Sequence, residues 1–244
     1  MDFSIVIPAW NEEAYLPKTL TAVIAVVQKI EEQGVHHGEV IVVDNNSTDT
    51  TAAVAAKFQV KLVFEPVNQI ARARNTGASV AVGEALIFLD ADSQCSEHLL
   101  SVVLEKLSGN SVAGGGSIIA PDTPVSVSAQ RGISFWNWLS IRARLAAGCF
   151  VYCRADAFND IGGFSDRVYA GEEIFLSRQL KRWAKRHKMT FDIATIDPVT
   201  TSARKLQWYS SAQILQQMLL MFIPGAVFSK RLCKTWYDTS AKRR

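Results

Sequence analysis

Residues 85–92 read ALIFLDAD, an apolar run that ends in two carboxylates one residue apart. A buried strand of a parallel sheet favours such a run, and open α/β sheets bind ligands at the carboxyl ends of their strands. If the chain stays extended or turns there, Asp90 and Asp92 can converge on one hard divalent cation, Mg²⁺ or Mn²⁺, which would hold a diphosphate. The alternative is that both acids only cap a helix beginning near Ser96.

Two further strand-like runs end in polar residues in the same way. Residues 39–43 lead into Asp44, and residues 3–8 lead into a loop and a helix with early acids. The runs at 3–8, 39–43, 60–64 and 85–89 alternate with segments of helical period at 12–32, 49–57 and 70–82. This alternation predicts an α/β fold with a mostly parallel central sheet flanked by helices. We expect one domain over residues 1–200 and a helical C-terminal extension over 201–244.

Charge distribution and cysteine content restrict the expected binding partners and the expected cellular location. The formal net charge is only +3, but basic residues crowd towards the C-terminus, which favours an anionic membrane surface. No nucleic-acid-binding signature accompanies these charges, so we expect no nucleic-acid partner. The four cysteines lack metal-site spacing and no signal peptide is evident, so we expect a cytoplasmic protein, with association with the inner face of the membrane left open.

Five stretches, in this order, closely resemble the successive signatures of family 2 glycosyltransferases. They are IVIPAWNEE (5–13), VVDNNSTDTT (42–51), ARARNTGASVAVGEALIFLDADS (71–93), AGCFVYCRADAFNDIGGF (147–164) and YAGEEIFLSRQL (169–180). The resemblance implies a GT-A fold, which is Rossmann-like, and a hexosyltransferase-like enzyme that requires a divalent metal. It also implies transfer of a sugar from a nucleoside diphosphate sugar, a UDP- or GDP-sugar, to an acceptor hydroxyl with inversion. A lipid carrier, a glycan and a small glycoside are all compatible acceptors.

The same resemblance assigns roles to the residues of the donor site. Asp92 is the firmer metal ligand, and Asp90 binds the metal or the ribose. Asp44 matches the acid that binds the nucleotide. Three other positions, Pro8, Ala9 and Glu12, match those that cradle the nucleoside, while Trp10 either stacks on the base or only packs.

Arg72 and Arg74 lie two residues apart near the start of a predicted helix. Residues at this spacing point to different faces of a helix, so both need not serve one ligand. A guanidinium suits the oxygens of a diphosphate. We therefore expect one of the two arginines to contact the diphosphate and the other to pair at the surface.

An acceptor hydroxyl needs a base that removes its proton as the new bond forms. The segment that matches the family's base usually reads Glu-Asp, whereas here it reads Glu172-Glu173. We predict Glu173 as the base, ahead of Glu172 and then Asp166. Repulsion between adjacent carboxylates would raise the pKa of one of them. The alternative is two solvated acids in the first turn of a helix.

Two later segments have alternative roles. Phe135, Trp136 and Trp138 are expected in the core, with an acceptor groove as the alternative. After residue 200, Arg204 or Lys205 is a candidate lid over the diphosphate. The apolar residues 214–228 are too few to span a membrane, which leaves membrane-surface docking, packing on the domain and homodimer formation open.

Two other functions compete with glycosyl transfer. A non-catalytic nucleotide-sugar-binding or scaffold protein of the same fold is conceivable because Glu173 stands where the family usually has Asp. A nucleotidyltransferase would show a basic, glycine-rich loop after the first strand, and residues 8–13 read PAWNEE instead.

Overall fold

The computed structural model describes residues 2–204, 226–229 and 232–233. Within these ranges the strands form one eight-stranded sheet in the order β3-β2-β1-β4-β7-β6-β8-β5. The strands are β1 (Phe3–Ala9), β2 (Gly38–Asp44), β3 (Lys61–Phe64), β4 (Ala85–Leu89), β5 (Ser93–Gln94), β6 (Val112–Pro121), β7 (Phe150–Arg154) and β8 (Thr190–Thr201).

The pairing directions decide which strand ends meet. Strands β1, β2, β3 and β4 pair in parallel, and β7 runs antiparallel to both β4 and β6. Strand β8 pairs in parallel with β6. The carboxyl ends of β1, β2, β4, β6 and β8 therefore lie on one edge of the sheet, together with the beginning of β7. That edge is where ligands bind in open α/β sheets.

Seven helices surround the sheet within the described ranges. They are α1 (Leu16–Glu32), α2 (Thr51–Ala55), α3 (Ile70–Val80), α4 (Glu97–Ser108), α5 (Val127–Ala143), α6 (Ala155–Asp160) and α7 (Glu172–Arg186). Helix α1 buries Leu16, Leu20, Val23 and Val27, whose spacing of three or four residues places them on one face. This stripe belongs to the core on one side of the sheet, while Ala73 of α3 and Leu180 of α7 belong to the core on the other.

The capping alternative for the two aspartates is wrong. Helix α4 has Ser96 as its N-cap, and the Ser96 hydroxyl accepts a hydrogen bond from the Leu99 amide at 3.0 Å. Asp90 and Asp92 lie before this cap, at the end of β4. Neither carboxylate therefore serves as the cap of α4, and both lie at the edge of the sheet where ligands bind.

The core interpretation of the α5 aromatic residues is also wrong for two of the three. Phe135 and Trp138 are 56% and 57% exposed, whereas Trp136 is partly buried against the core. Helix α5 packs against the core through the face that carries Trp136, and the face that carries Phe135 and Trp138 is exposed to solvent.

Most of the predicted C-terminal extension lies outside the described residues, including Lys205 and residues 214–225 of the predicted apolar segment 214–228. Of that region, the Val227 carbonyl accepts a hydrogen bond from the Tyr169 amide at 2.8 Å, and the Phe228 ring contacts that of Phe175. In the part of the chain that the structure describes, no helix combines the length and the apolar character needed to cross a membrane.

Candidate active site

A cavity of about 440 Å³ opens at the edge where the strand ends meet. Ten of the site residues predicted from the sequence line it. They are Pro8, Ala9, Trp10, Glu12, Arg74, Asp90, Asp92, Glu172, Glu173 and Arg204. Asp44, Arg72 and Asp166 are not among the lining residues.

The lining residues that were not singled out by the sequence include Ile119, Ile133, Asn45 and Asn68. Ile119 at the end of β6 and Ile133 of α5 form an apolar side together with Trp136, for which the sequence left an acceptor groove as the alternative to the core. Asn45 and Asn68 add amides near the ends of β2 and β3. Their place in the cavity follows from strand order, which no local pattern specifies. The position of Asn45 directly after β2 was the available signal.

The loops after β1 and β2 are joined by hydrogen bonds. Asn11 takes a left-handed conformation with φ of 53°, which asparagine tolerates better than most residues. Its amide donates to the Ser47 hydroxyl at 3.0 Å, and its side-chain carbonyl accepts from the Thr48 amide at 2.8 Å. The Asp44 carboxylate accepts from the Ser47 amide at 3.1 Å. Asp44 thus holds the loop after β2, to which the loop after β1 is bonded through Asn11.

Arg74 links the end of β4 to the start of α7. Its side chain is only 1% exposed, and its Nη2 donates to the Asp90 carboxylate at 3.0 Å and to the Gly148 carbonyl at 2.7 Å. Its Nη1 donates to the Glu172 carboxylate at 2.6 Å. A buried guanidinium needs such compensation, because an unpaired charge in the interior is strongly unfavourable.

Glu172 and Glu173 have different surroundings although they are neighbours. Helix α7 begins after Gly171, whose φ of 74° is a left-handed conformation suited to glycine. Glu172 is buried against Arg74, whereas Glu173 is half-buried at the cavity. Burial, and then repulsion from Glu172, raises the pKa of Glu173 to about 8, although Arg74 acts in the opposite direction. A carboxyl group with this pKa can exchange a proton near neutral pH.

Arg204 closes the other side of the cavity. Its Nη1 and Nη2 each donate to one oxygen of Glu12 at 2.6 Å, and Nη2 also lies 2.9 Å from the Asp92 carboxylate. The guanidinium sits over the Tyr15 ring, 4.3 Å from its centroid. One cation therefore joins the end of β4 to the loop after β1.

Arg72 lies away from the cavity and pairs with the buried Glu65 at 3.2 Å. Its side chain is partly exposed. The two arginines of α3 thus occupy different faces of the helix, as their spacing predicts. Of these two arginines, Arg74 is the one that contacts an acid at the end of β4, namely Asp90.

The oxygen ligands at the end of β4 fit a hard divalent cation. Within the described residues, no three acidic, histidine or cysteine side chains form a complete metal site by themselves. Mg²⁺ commonly uses only one or two carboxylates, with substrate phosphates and water completing its shell. Asp92 already contacts a cationic group, that of Arg204, so this position favours positive charge.

Residues 4–162, more than half of the 244-residue chain, match the sequence model described as Glycosyl transferase family 2. The chain belongs to this family of glycosyltransferases. Glycosyltransferase AglE of Haloferax volcanii is 29% identical over 194 residues, which cover 75% of this chain and 60% of AglE. The dolichyl-phosphate beta-glucosyltransferase of Mus musculus is 35% identical over 98 residues, 36% of this chain and 30% of that enzyme. The matched region thus spans less than two thirds of either relative.

Solved structures share the fold. The mannosyltransferase PcManGT from Pyrobaculum calidifontis, in complex with GDP-Man and Mn²⁺, superposes with a TM-score of 0.67 at 18% identity, covering 96% of this chain and 68% of that one. TarS of S. aureus, in complex with UDP-GlcNAc, gives a TM-score of 0.63 at 17% identity, covering 96% and 69%. The predicted GT-A fold is therefore confirmed.

Proposed function

We propose that this chain is a metal-dependent glycosyltransferase that moves a sugar from a nucleoside diphosphate sugar to an acceptor hydroxyl, with inversion at the anomeric carbon. One observation carries the proposal: a single cavity contains both the acids at the end of β4 and Glu173, and Arg74 connects the two sides through Asp90 and Glu172. A UDP- or GDP-sugar is the proposed donor, since the structural neighbours are complexes with GDP-Man and UDP-GlcNAc.

The donor side of the cavity is built from the strand ends. Asp92 and Asp90 would hold Mg²⁺ or Mn²⁺, since carboxylate oxygens suit these cations. The presence of Mn²⁺ in the PcManGT complex supports a divalent cation. When bound, the metal stabilises the negative charge that develops on the departing diphosphate. Pro8, Ala9 and Trp10 would contact the nucleoside.

Two further acids complete the nucleotide site in this proposal. Glu12 lines the cavity, while Asp44 acts through the loop whose Ser47 amide it binds. Both positions match the nucleotide-binding positions of the family.

Arg204 and Arg74 provide positive charge near the diphosphate. Arg204 can exchange its contacts with Glu12 and Asp92 for diphosphate oxygens, because the same planar guanidinium suits both anions. Arg74 is held more firmly, between two acids and a backbone carbonyl. We assign to it the orientation of Asp90 and Glu172.

Glu173 is the proposed base. In its carboxylate form it accepts the proton of the acceptor hydroxyl while the hydroxyl oxygen attacks the anomeric carbon. Glu172 is engaged with Arg74, which leaves it less available for this step. Ile119, Ile133 and Trp136 give the cavity an apolar side on which the acceptor can lie.

The experiment combines donor binding with metal dependence. Thermal unfolding would be followed with a panel of UDP- and GDP-sugars, with and without Mn²⁺, for the wild-type chain, Asp92→Asn and the matched control Asp166→Asn. We expect one donor with Mn²⁺ to raise the melting temperature of the wild type and the control, because a ligand that binds only the folded state stabilises it. We expect no such rise in Asp92→Asn.

An equal rise in Asp92→Asn would contradict the metal assignment. Product formation is then measured with the donor found. Donor binding without hydrolysis or transfer to any acceptor would favour the scaffold function instead.

A further inference from the structure

Helix α5 presents an exposed apolar face on the outside of the protein. Val127, Phe135, Trp138 and Ile141 are 43–70% exposed, and the Phe135 and Trp138 rings stack with their centroids 5.8 Å apart. At about 100° per residue these four positions fall within about 120° of the helix circumference. They therefore lie on one side of the helix, which we call the α5 outer face.

The opposite side of α5 packs against the rest of the protein. Ile133 and Trp136 line the cavity. The Asn137 side chain accepts from the Ile119 amide at 3.0 Å and donates to the Ile119 carbonyl at 2.9 Å. These contacts hold the helix in one orientation, so the α5 outer face points away from the sheet.

Positive charge accompanies the apolar residues. Arg131 and Arg142 fall on the same side of the helix, and Arg144 follows at its C-terminal end. All three are exposed, and none forms an ion pair with another of the described residues. The sequence contains no Asp or Glu between Asp122 and Asp156. The α5 outer face thus combines apolar side chains with positively charged ones, and it carries no negatively charged side chain.

The combination of apolar and positively charged side chains favours one of the two partners that could cover the α5 outer face, a second copy of the chain or a membrane. A second copy docked through the same face would oppose arginine to arginine, with no acid on the helix to compensate. An anionic bilayer surface offers headgroups to the arginines and an acyl boundary to the rings and aliphatic side chains. Each arginine near such a surface contributes about 1 kcal/mol of attraction.

We propose that the α5 outer face docks this protein on membranes that contain anionic phospholipids. Phe135 and Trp138 enter the boundary between headgroups and acyl chains, and Arg131 and Arg142 contact the headgroup phosphates. Because the other side of α5 lines the cavity, docking holds the cavity within about one helix diameter, ~10 Å, of the membrane surface. The docking does not depend on which sugar is transferred, and binding to vesicles can be measured without donor or metal.

The test is flotation of the full chain with vesicles of phosphatidylcholine alone or of phosphatidylcholine and phosphatidylglycerol at about 7:3, the anionic lipid supplying the surface charge. We expect flotation only with the mixed vesicles, and weaker flotation at high salt because salt screens surface charge. The variant Phe135→Ser/Trp138→Ser should lower the partition coefficient at least about tenfold. The matched control Phe64→Ser/Val82→Ser changes two residues of similar exposure elsewhere and should float like the wild type.

A second variant, Arg131→Gln/Arg142→Gln, keeps the apolar residues and should remove the preference for phosphatidylglycerol. Unchanged flotation of Phe135→Ser/Trp138→Ser would overturn the proposal, since another segment would then bind the membrane. A wild-type dimer that does not float and that this variant dissociates would overturn it in favour of a second copy.

Discussion

Nη1 of Arg74 lies 2.6 Å from a carboxylate oxygen of Glu172, so the first acid of α7 is paired inside the protein. The same guanidinium contacts Asp90 at 3.0 Å. Arg74 therefore fixes the distance between the acids of the donor side and the helix that carries Glu173. This pairing gives two adjacent glutamates, of which the sequence favours Glu173 as the base, different surroundings.

Replacement of Glu173 by Gln should abolish sugar transfer while leaving donor binding intact. Loss of a general base typically lowers the rate by about 10²–10⁴-fold, and glutamine cannot accept the hydroxyl proton. The measurement is turnover with the donor identified by thermal unfolding, together with the dissociation constant of that donor.

Two variants accompany this measurement. Glu105→Gln changes an exposed acid of α4 and should keep full activity. Glu173→Asp restores the family's usual residue and should retain part of the rate. If Glu173→Gln transfers sugar at the wild-type rate, another group is the base.

The stability of the protein should fall as pH rises from about 5 towards 8, because Glu173 titrates. An unfolded glutamate has a pKa of about 4.3, whereas burial and the neighbouring Glu172 raise the pKa of Glu173 to about 8 in the folded chain. Between these values the folded state binds more protons, so deprotonation favours unfolding. In Glu173→Gln this loss is absent.

The prediction is therefore that Glu173→Gln melts at a higher temperature than the wild type at about pH 8.5, which is above the folded pKa, and that the difference disappears at about pH 4. Thermal unfolding by circular dichroism measures both. A difference that is constant with pH would show that Glu173 does not titrate in this range.

Arg74→Met should destabilise the protein by about 3–5 kcal/mol, because it leaves two carboxylates without their buried partner. Arg72→Met is the matched control on the same helix. Its pair with Glu65 involves a partly exposed arginine, so a loss of about 1 kcal/mol or less is expected. Urea unfolding gives both values.

Arg74→Lys keeps the charge but lacks the planar fork that reaches both acids. We expect a folded protein with reduced turnover and little change in donor affinity. Equal losses of unfolding free energy in Arg74→Met and Arg72→Met would show that the buried contacts of Arg74 contribute no more to stability than the partly exposed pair of Arg72.

Arg204→Ala should weaken donor binding by about tenfold or more, since charge-assisted hydrogen bonds to the diphosphate contribute about 1.5–3 kcal/mol. It should also make Mn²⁺ alone raise the melting temperature more than in the wild type, because Asp92 and Glu12 lose their guanidinium partner. Titration calorimetry and thermal unfolding measure the two effects. Arg182→Ala, an exposed arginine of α7, is the control, and unchanged donor affinity in Arg204→Ala would remove Arg204 from the donor site.

The sequence alone predicted the fold class, because the largely apolar runs that form β1, β2 and β4 alternate with segments of helical period. It also predicted that the acids after β4 lie at the ligand-binding edge, since this follows from strand direction. The family follows from the order of the motifs. These features are local or depend only on the order of elements.

The tertiary structure alone decided which of several equivalent residues meet. Spacing shows that Arg72 and Arg74 face differently, but only the packing of α3 on the sheet shows which one is buried. The contact of Arg204 with Glu12 joins residues 192 positions apart. It depends on the pairing of the end of β8 with β5, which brings Ser202 beside Asp92. The exposure of Phe135 and Trp138 likewise depends on which face of α5 the sheet covers. Contacts of this kind arise from long-range packing, which no local pattern of residues encodes.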